Sequence, residues 1–289
     1  MKDVPIIGSF LLGAPKCGTS WLADVLSQHP EICISNPKEP DIVATHKGTF
    51  VRDESSLDLS EYGDFFQGEG VKVDCSVHAF SCPTAPSRIN KIWPDAKFIV
   101  SLRDPIERAV SQWNHALDYS DDKKAGVDWS EFSTAWADPR LRCESMYGES
   151  LKNWLTFFPI DSFLIIETKV MRNLPHQVLK DICNHIGVSE YRFNLDLVRG
   201  HNLASQRKAI NFLGKCIRNS AKATPRVLRK RIASQLQRRG INIYKTKFLS
   251  TRTSGGRIIT DSERDMAKQS LVEDQYLLEE LTGLNNLIQ

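Results

Sequence analysis

The sequence GAPKCGTS occupies residues 13–20 and follows directly on a largely apolar run at residues 6–12. Such a run is typical of a buried strand, and a helical pattern begins at residue 19. A strand that enters a glycine-containing turn and then a helix presents backbone N–H groups and the positive end of the helix dipole to an anion. Residues 13–20 are therefore predicted to bind a phosphate group.

The side chains of this loop fit an anion site, but one position is unusual. Gly13 and Gly18 allow backbone conformations closed to other residues, Lys16 adds a positive charge, and Thr19 and Ser20 supply hydroxyl groups. The loop of nucleotide triphosphatases reads G-x-x-x-x-G-K-[ST], and here Thr19 stands where that pattern has lysine. The lysine of this chain lies at position 16 instead.

A second apolar run, at residues 98–102, ends in Arg103, which Asp104 follows. Phosphoryl-transferring enzymes of the P-loop type place an acidic residue near a neighbouring strand to hold magnesium. A cationic strand end suits a second anion better than a metal. A small-molecule or nucleoside kinase stays open as an alternative function, as does a non-catalytic protein that binds a nucleotide or a glycan.

Short apolar runs alternate with helical patterns along the first two thirds of the chain. The runs lie at residues 6–12, 32–35, 71–75, 98–102 and 163–166, and the helical patterns at 19–28, 106–117, 147–157 and 175–186. This alternation is typical of a parallel sheet covered by helices on both faces. We expect a three-layer α/β fold of the P-loop type, with residues 1–289 forming a single domain.

The composition favours an ordinary globular protein. The 289 residues are 41% hydrophobic and 25% charged, with a formal net charge of +3, which argues against a disordered chain and against a dedicated nucleic-acid binder. The seven cysteines are scattered without a C-x-x-C pair, so zinc and redox sites are not indicated. Reduced thiols and the lack of a visible export signal predict a cytoplasmic location.

Two stretches of this sequence resemble the PAPS-dependent sulfotransferases, where PAPS is 3′-phosphoadenosine-5′-phosphosulfate. The segment PKCGTSWL at 15–22 is similar to that family's 5′-phosphosulfate loop, P-K-[SC]-G-T-[ST]-x-L. The segment FIVSLRDPIERAVS at 98–111 is similar to its 3′-phosphate block. Residues 151–166 and 202–207 also agree with family segments. The likeness is greatest to the bacterial and carbohydrate (heparan sulfate-type) members.

The resemblance implies PAPS as donor, 3′-phosphoadenosine-5′-phosphate (PAP) as product, and no metal. Lys16 would hold the phosphosulfate with the rest of its loop, and a cationic group would hold the 3′-phosphate. The donor-binding residues implied are Lys16, Cys17, Gly18, Thr19, Ser20 and Trp21 at the 5′ end, and Arg103, Ser111 and Arg207 at the 3′ end. Trp21 is also a candidate for stacking on adenine.

The family resemblance offers two candidates for the base that deprotonates the acceptor. Glu39 lies in NPKEP at 36–40, which resembles the K-E-P element of carbohydrate sulfotransferases, where the glutamate is the base. His78 lies after the run 71–75, roughly where small-molecule sulfotransferases carry a catalytic histidine. Glu39 is favoured because both residues flanking it match. Cys75 stands where the carbohydrate group often has lysine, so a second catalytic lysine is not expected there.

The acceptor implied by the Glu39 motif is a carbohydrate or glycolipid hydroxyl, or an amine. Tyr147 is a candidate for acceptor contact, and residues 118–142 could form an insertion that faces the acceptor. The basic stretch at 207–247 could contact a polyanion or an anionic membrane surface, although its apolar residues at helical spacing also fit a packed helix with solvated charges. The acidic helix predicted at 261–282 could pack on that stretch.

Overall fold

The computed structural model describes residues 4–198, 208–210, 250–252, 256–284 and 287. The chain divides into two compact units, one formed by residues 1–201 with 258–289 and the other by residues 202–257. In the second unit the structure describes the antiparallel strands Lys208–Ile210 and Ser250–Arg252. That residues 1–289 form a single domain stays a prediction.

The first unit is built on a five-stranded sheet, and each of its strands overlaps one of the five predicted runs. The strands are β1 (Ser9–Gly13), β2 (Ile32–Ile34), β3 (Val71–Asp74), β4 (Lys97–Leu102) and β5 (Phe163–Glu167). All four pairings in the sheet are parallel, in the order β2-β3-β1-β4-β5. The predicted α/β fold with a central parallel sheet is confirmed.

Helices follow the strands, and the four predicted helices are among them. They are α1 (Thr19–Leu26), α2 (Ala85–Asn90), α3 (Pro105–Tyr119), α4 (Asp121–Lys124), α5 (Phe132–Ala137), α6 (Pro139–Arg142), α7 (Tyr147–Leu155), α8 (Thr168–Asn173), α9 (Pro175–Ile186) and α10 (Asp261–Thr282). Within the residues that the structure describes, no helix is long and apolar enough to cross a lipid bilayer.

The central strands β1 and β4 are mostly apolar because both faces of the sheet are covered. Side chains alternate between the faces of a strand. Phe10 and Phe98 join one buried cluster with Trp154 of α7, whereas Leu11 and Ile99 join the opposite cluster, to which α1 and α9 contribute. A strand buried on both sides has no polar face, which is why these runs do not alternate in sequence.

Residues 118–142, predicted as an insertion facing the acceptor, largely pack onto the body of the unit. They contain α4, α5 and α6, and their aromatic side chains Trp129, Phe132 and Trp136 are buried in a third cluster with Trp113 of α3 and Leu271 of α10. Burial of large aromatic side chains is strongly favourable, so these residues stabilise the fold and are not free to contact an acceptor.

The last helix closes this unit and begins and ends at the predicted residues. Thr260 and Glu263 form a capping box at its start. In its middle, the carboxylate of Asp274 accepts bonds from the backbone N–H groups of Gly148 (3.1 Å) and Glu149 (2.8 Å) in the first turn of α7. The basic stretch at 207–247, proposed as its partner, lies almost wholly outside the described residues.

The strand order leaves a crevice at the carboxyl ends of β1 and β4. After β1 the chain continues toward β2 on one side, whereas after β4 it continues to β5 on the other. Ligands of open α/β sheets bind where neighbouring strands diverge in this way. Gly13–Ser20 and Arg103 both lie at this edge of the sheet.

Candidate active site

The loop after β1 is held in a single shape by β4 and by its own glycines. Gly13 has φ +144°, and a Cβ added there would lie 2.6 Å from the carbonyl oxygen of Val77. The backbone N–H of Ala14 donates to the carbonyl of Ser101 (2.8 Å), and the Ser101 hydroxyl donates to the carbonyl of Cys17 (2.7 Å). The loop is therefore preorganised before any ligand arrives.

The start of α1 has the properties of an anion site. Gly18 is its N-cap with φ +81°, and no side chain in the described part of the chain caps the helix. The free N–H groups of a first turn and the helix dipole favour a negative ligand. Lys16 adds a cation and itself adopts φ +69°, a conformation that costs energy in a non-glycine residue and is frequent at functional sites.

The thiol of Cys17 faces the core, away from this anion site. Its Sγ lies 3.7 Å from the hydroxyl of Tyr147, and burial raises the pKa of the thiol. The backbone N–H of Cys17 donates to the carbonyl of Ala14. Cys17 thus helps to hold the loop in place from its core side. Tyr147, a candidate for acceptor contact, is instead a core side chain and is only 1% exposed.

The predicted base lies close to the loop through its neighbour Lys38. The Lys38 ammonium donates to Glu39 Oε1 at 2.7 Å and to the hydroxyl of Thr19 at 3.4 Å. Both Lys38 and Glu39 are about one quarter to one third exposed, at 24% and 34% of the side chain. The half-buried lysine therefore joins the first residue of α1 to a carboxylate that solvent can still reach.

The turn that carries Lys38 and Glu39 is anchored to the end of β3. The Ser35 hydroxyl donates to the carbonyl of Lys38 (2.6 Å), and the Ser35 Oγ accepts from the N–H of Cys75 (3.2 Å). The Ser35 N–H also donates to the carbonyl of Val73 in β3. These bonds fix the position of the Glu39 carboxylate relative to the sheet edge.

Arg103 directly follows β4 and is half-buried. Its guanidinium lies 3.7 Å from Glu107, whose other oxygen accepts from Arg264 of α10 at 2.7 Å. Burial raises the pKa of the Cys17 thiol in the loop, and the positive charge of Arg103 partly opposes this rise. Ser111 lies two turns further along α3 and is also half-buried. Arg207 lies outside the described residues.

Asp104, the acidic residue at this strand end, is engaged in capping α3. Its Oδ1 accepts from the N–H groups of Ile106 (2.8 Å) and Glu107 (2.9 Å). A carboxylate used in this way is less available as the metal ligand that a kinase needs there. In the described part of the chain, no group of three or more His, Cys, Asp or Glu side chains could hold a metal ion.

The structure shows a buried charge network behind His78 that the sequence did not indicate. His78 Nδ1 lies 3.0 Å from Glu144 Oε1, and Glu144 Oε2 accepts from Arg108 at 2.9 Å. Arg108 also donates to the Ser145 hydroxyl (2.7 Å) and the Leu141 carbonyl (3.0 Å). Glu144 and Arg108 are 2% and 0% exposed, so each buried charge is compensated by the other.

This network sets the protonation of the histidine. Burial alone would raise the pKa of Glu144, but His78 and Arg108 outweigh it and hold that pKa at about 2. For His78, burial lowers the pKa, and the negative charges of Glu144, Glu39 and Asp41 more than offset this, so the pKa is raised. The network therefore favours the protonated, imidazolium form of His78.

Asp41 is a further carboxyl group that the sequence did not single out. It has φ +52°, and its N–H donates to the Ser76 hydroxyl at 3.0 Å. Burial raises the pKa of Asp41 to about 6; the charge of His78 opposes this and that of Glu39 adds to it. Glu39, Asp41 and His78 thus influence one another at the carboxyl edge of the sheet.

Trp21 lies in the first turn of α1 and is half-buried, packed in part against the cluster on the α1 side of the sheet. Its stacking on adenine stays a prediction. The structure brings the loop 13–20, Glu39, His78 and Arg103 to the same edge of the sheet, in the unit formed by residues 1–201 and 258–289.

Comparison with known proteins gives the family of the chain. Residues 8–212 match the family model described as "Sulfotransferase domain". The mouse bifunctional heparan sulfate N-deacetylase/N-sulfotransferase 3 is 28% identical over 197 residues, which are 63% of this chain and 22% of that protein. Mouse carbohydrate sulfotransferase 15 is 26% identical over 224 residues, 54% of this chain and 39% of that protein. This chain thus spans well under half the length of these relatives.

A solved structure has a similar fold. The crystal structure of a sulfotransferase from Alicyclobacillus acidocaldarius superposes with a TM-score of 0.63 at 21% identity, covering 98% of each chain. The family match covers the phosphate loop, Glu39, His78 and the Arg103 block. The chain belongs to the sulfotransferase domain family, whose named members are enzymes that transfer sulfate groups.

Proposed function

We propose that this chain transfers a sulfuryl group from PAPS to a hydroxyl or amine of a carbohydrate or glycolipid acceptor, with Glu39 as the general base. The observation that carries the proposal is the Lys38 ammonium, which lies between the Glu39 carboxylate (2.7 Å) and the Thr19 hydroxyl (3.4 Å). A base and an anion loop joined in this way can bring an acceptor and a phosphosulfate together.

The residues at the loop fit the donor that the family uses. The uncapped start of α1 and Lys16 would hold the 5′-phosphosulfate, and Arg103 with Ser111 would hold the 3′-phosphate. PAPS supplies the activated sulfuryl group when bound. Charge close to the leaving phosphate lowers the barrier to its departure, so Lys16 and Lys38 are assigned to that role.

Glu39 takes the proton from the acceptor, and His78 supplies positive charge beside it. A general base must be unprotonated when the reaction starts. The buried Glu144 carboxylate favours the protonated form of His78, which supports Glu39 over His78 as the base. The acceptor class rests on the relatives named as heparan sulfate and carbohydrate sulfotransferases.

Ligand-induced stabilisation tests the donor assignment. PAP should raise the melting temperature of the protein, whereas ATP with magnesium should not, because a ligand that binds only the folded state stabilises it. The reverse result would favour the kinase alternative. Transfer of labelled sulfur from PAPS to any member of a panel of oligosaccharides, glycolipids, phenols and small metabolites would exclude a non-catalytic binding protein.

A further inference from the structure

A cavity of about 340 Å³ is lined largely by the segment that follows the predicted base in sequence. Its lining begins at Ile42, three residues after Glu39, and continues through residues 47–65 to Arg88 of α2. Asp41, which lies between Glu39 and this lining, is influenced by the charges of both Glu39 and Lys47. The cavity and the base therefore belong to one continuous stretch of chain.

The cavity walls are polar and held in place by hydrogen bonds. Arg88 donates to the carbonyl groups of Ser55 (3.0 Å) and Val43 (3.4 Å), which ties the segment to α2. Lys47 pairs with Asp53 at 2.6 Å. The carboxylate of Asp58 accepts from the N–H of Ser60 at 2.9 Å. The lining residues are therefore already ordered, and a ligand that binds here does not have to order them.

The lining has the chemistry of a site for a hydroxyl-rich ligand. Cavities of this size, in the range of about 300 to 1,000 Å³, usually hold small molecules and are mostly apolar. This one instead presents three serines with charged groups, and the half-buried Phe65 ring forms one of its apolar surfaces. Carboxylates, guanidinium groups and serine hydroxyls are the donors and acceptors that match the hydroxyl groups of a sugar.

The charges around the cavity leave a negative balance. The carboxylate-bearing lining residues are Asp53, Asp58 and Glu61, and the cations are Lys47 and Arg88. Hydrogen bonds from Lys47 and Ser55 lower the pKa of Asp53, and the backbone of Ser60 lowers that of Asp58, so both are ionised at neutral pH. With Lys47 paired to Asp53, one cation faces two carboxylates.

We propose that this cavity binds a sugar residue of the acceptor and selects neutral or amino-bearing sugars over uronates. The inference rests on the proposed function and refines its acceptor class. A uronate carboxylate entering the cavity would meet a net negative charge, whereas an amino group would be attracted to Asp58 and Glu61. The acceptor of this chain is then distinguished by charge from an acidic glycan.

Three related disaccharides provide the test, with PAP present at saturation. The neutral probe is the disaccharide of N-acetylglucosamine, the cationic probe is the same disaccharide with free amino groups, and the anionic probe is glucuronate linked to N-acetylglucosamine. Dissociation constants are measured by ligand-observed NMR. We expect the wild-type chain to bind the anionic probe about two-fold more weakly than the neutral one, as one net charge about 8 Å away predicts in a watery site.

Charge variants of the cavity and a control distinguish an effect of the cavity lining from an effect of the overall charge of the protein. Asp58→Asn and Glu61→Gln each bring the net charge of the lining from −1 to zero and should remove most of the difference between the anionic and neutral probes. The double variant leaves a net charge of +1 and should reverse the difference. Glu273→Gln removes the same charge from the exposed face of α10, outside the cavity, and should leave the difference unchanged. PAP affinity should be the same in the wild-type protein and in all four variants.

Failure of this inference is distinguishable from failure of the proposed function. If PAP does not bind, the donor assignment is wrong. If PAP binds but none of the probes does, or the anionic probe binds as well as the neutral one, the cavity does not select the acceptor as proposed. An equal effect of Glu273→Gln and Asp58→Asn would also overturn the inference, because it would show that only net charge matters.

Discussion

The imidazole of His78 lies 3.0 Å from the buried carboxylate of Glu144, which Arg108 holds from the other side at 2.9 Å. A carboxylate in this position stabilises the protonated ring and so lowers the fraction of His78 that is unprotonated and able to accept a proton. The arrangement favours a positively charged His78 and supports the proposal that Glu39 removes the proton of the acceptor.

Replacing Glu144 with glutamine should show that the protonation of His78 depends on the Glu144 carboxylate. In Glu144→Gln the pKa of His78 should fall, and the loss of one partner from a buried pair should cost about 3 to 5 kcal/mol of stability. The raised pKa of His78 contributes stability below its ordinary 6.5 that is lost as pH rises through the folded value. The lowered pKa of Glu144 contributes stability above 4.5 that is lost as pH falls toward about 2.

The stability gap between wild type and Glu144→Gln should thus be widest between about pH 4.5 and 6.5. Denaturant unfolding over pH 3 to 9, together with NMR titration of the His78 ring, measures both effects. Titration of His78 at or below pH 6.5 in the wild-type protein would contradict this account of the network.

Asp41→Asn should stabilise the protein near neutral pH. The pKa of Asp41 is raised from 3.8 to about 6, chiefly by burial, so the folded state disfavours its charge above pH 6. After allowance for its partial exposure, we expect a gain of about 1 to 2 kcal/mol at pH 7. The gain should disappear below about pH 4, where both states carry a protonated carboxyl. A pH-independent gain would show that charge is not its cause.

Gly13→Ala should damage the loop more than the loss of a glycine alone explains. Gly13 and Gly187 both have positive φ, but only at Gly13 would a Cβ meet backbone, 2.6 Å from the carbonyl oxygen of Val77. Gly187→Ala is therefore the matched control and should cost about 1 to 2 kcal/mol. Gly13→Ala should cost more and weaken PAP binding, measured by calorimetry. Equal effects in the two variants would argue against a preorganised loop.

Arg103→Ala should remove the preference of the site for a 3′-phosphate. A charge-assisted contact of about 1.5 to 3 kcal/mol corresponds to a ten-fold to hundred-fold loss of PAP affinity. Binding of 5′-AMP, which lacks the 3′-phosphate, should change little. Arg192→Ala removes an exposed cation elsewhere and controls for net charge. If PAP and 5′-AMP weaken equally in Arg103→Ala, Arg103 does not recognise the 3′ group.

The fold followed from the sequence because each strand of the main sheet overlaps a short, largely apolar run, and helical patterns separate most of these runs. The loop 13–20 and the Arg103 block could be predicted because each is contiguous in sequence. The Glu144 network could not, since His78 and Arg108 lie 66 and 36 positions from it and meet only through the fold. The sequence left Tyr147 open between the core and acceptor contact for a related reason: exposure of an aromatic side chain depends on packing, which local sequence does not specify.

The most direct test of the central claim compares Glu39→Gln with His78→Ala, using PAPS and an acceptor from the screen. Turnover and PAP affinity are measured separately. Glu39→Gln should lower turnover by about 10²-fold to 10⁴-fold, the contribution of a general base, with PAP affinity nearly unchanged. His78→Ala should lower turnover less. Near-normal turnover in Glu39→Gln, with turnover abolished in His78→Ala, would contradict the assignment of Glu39 as the base.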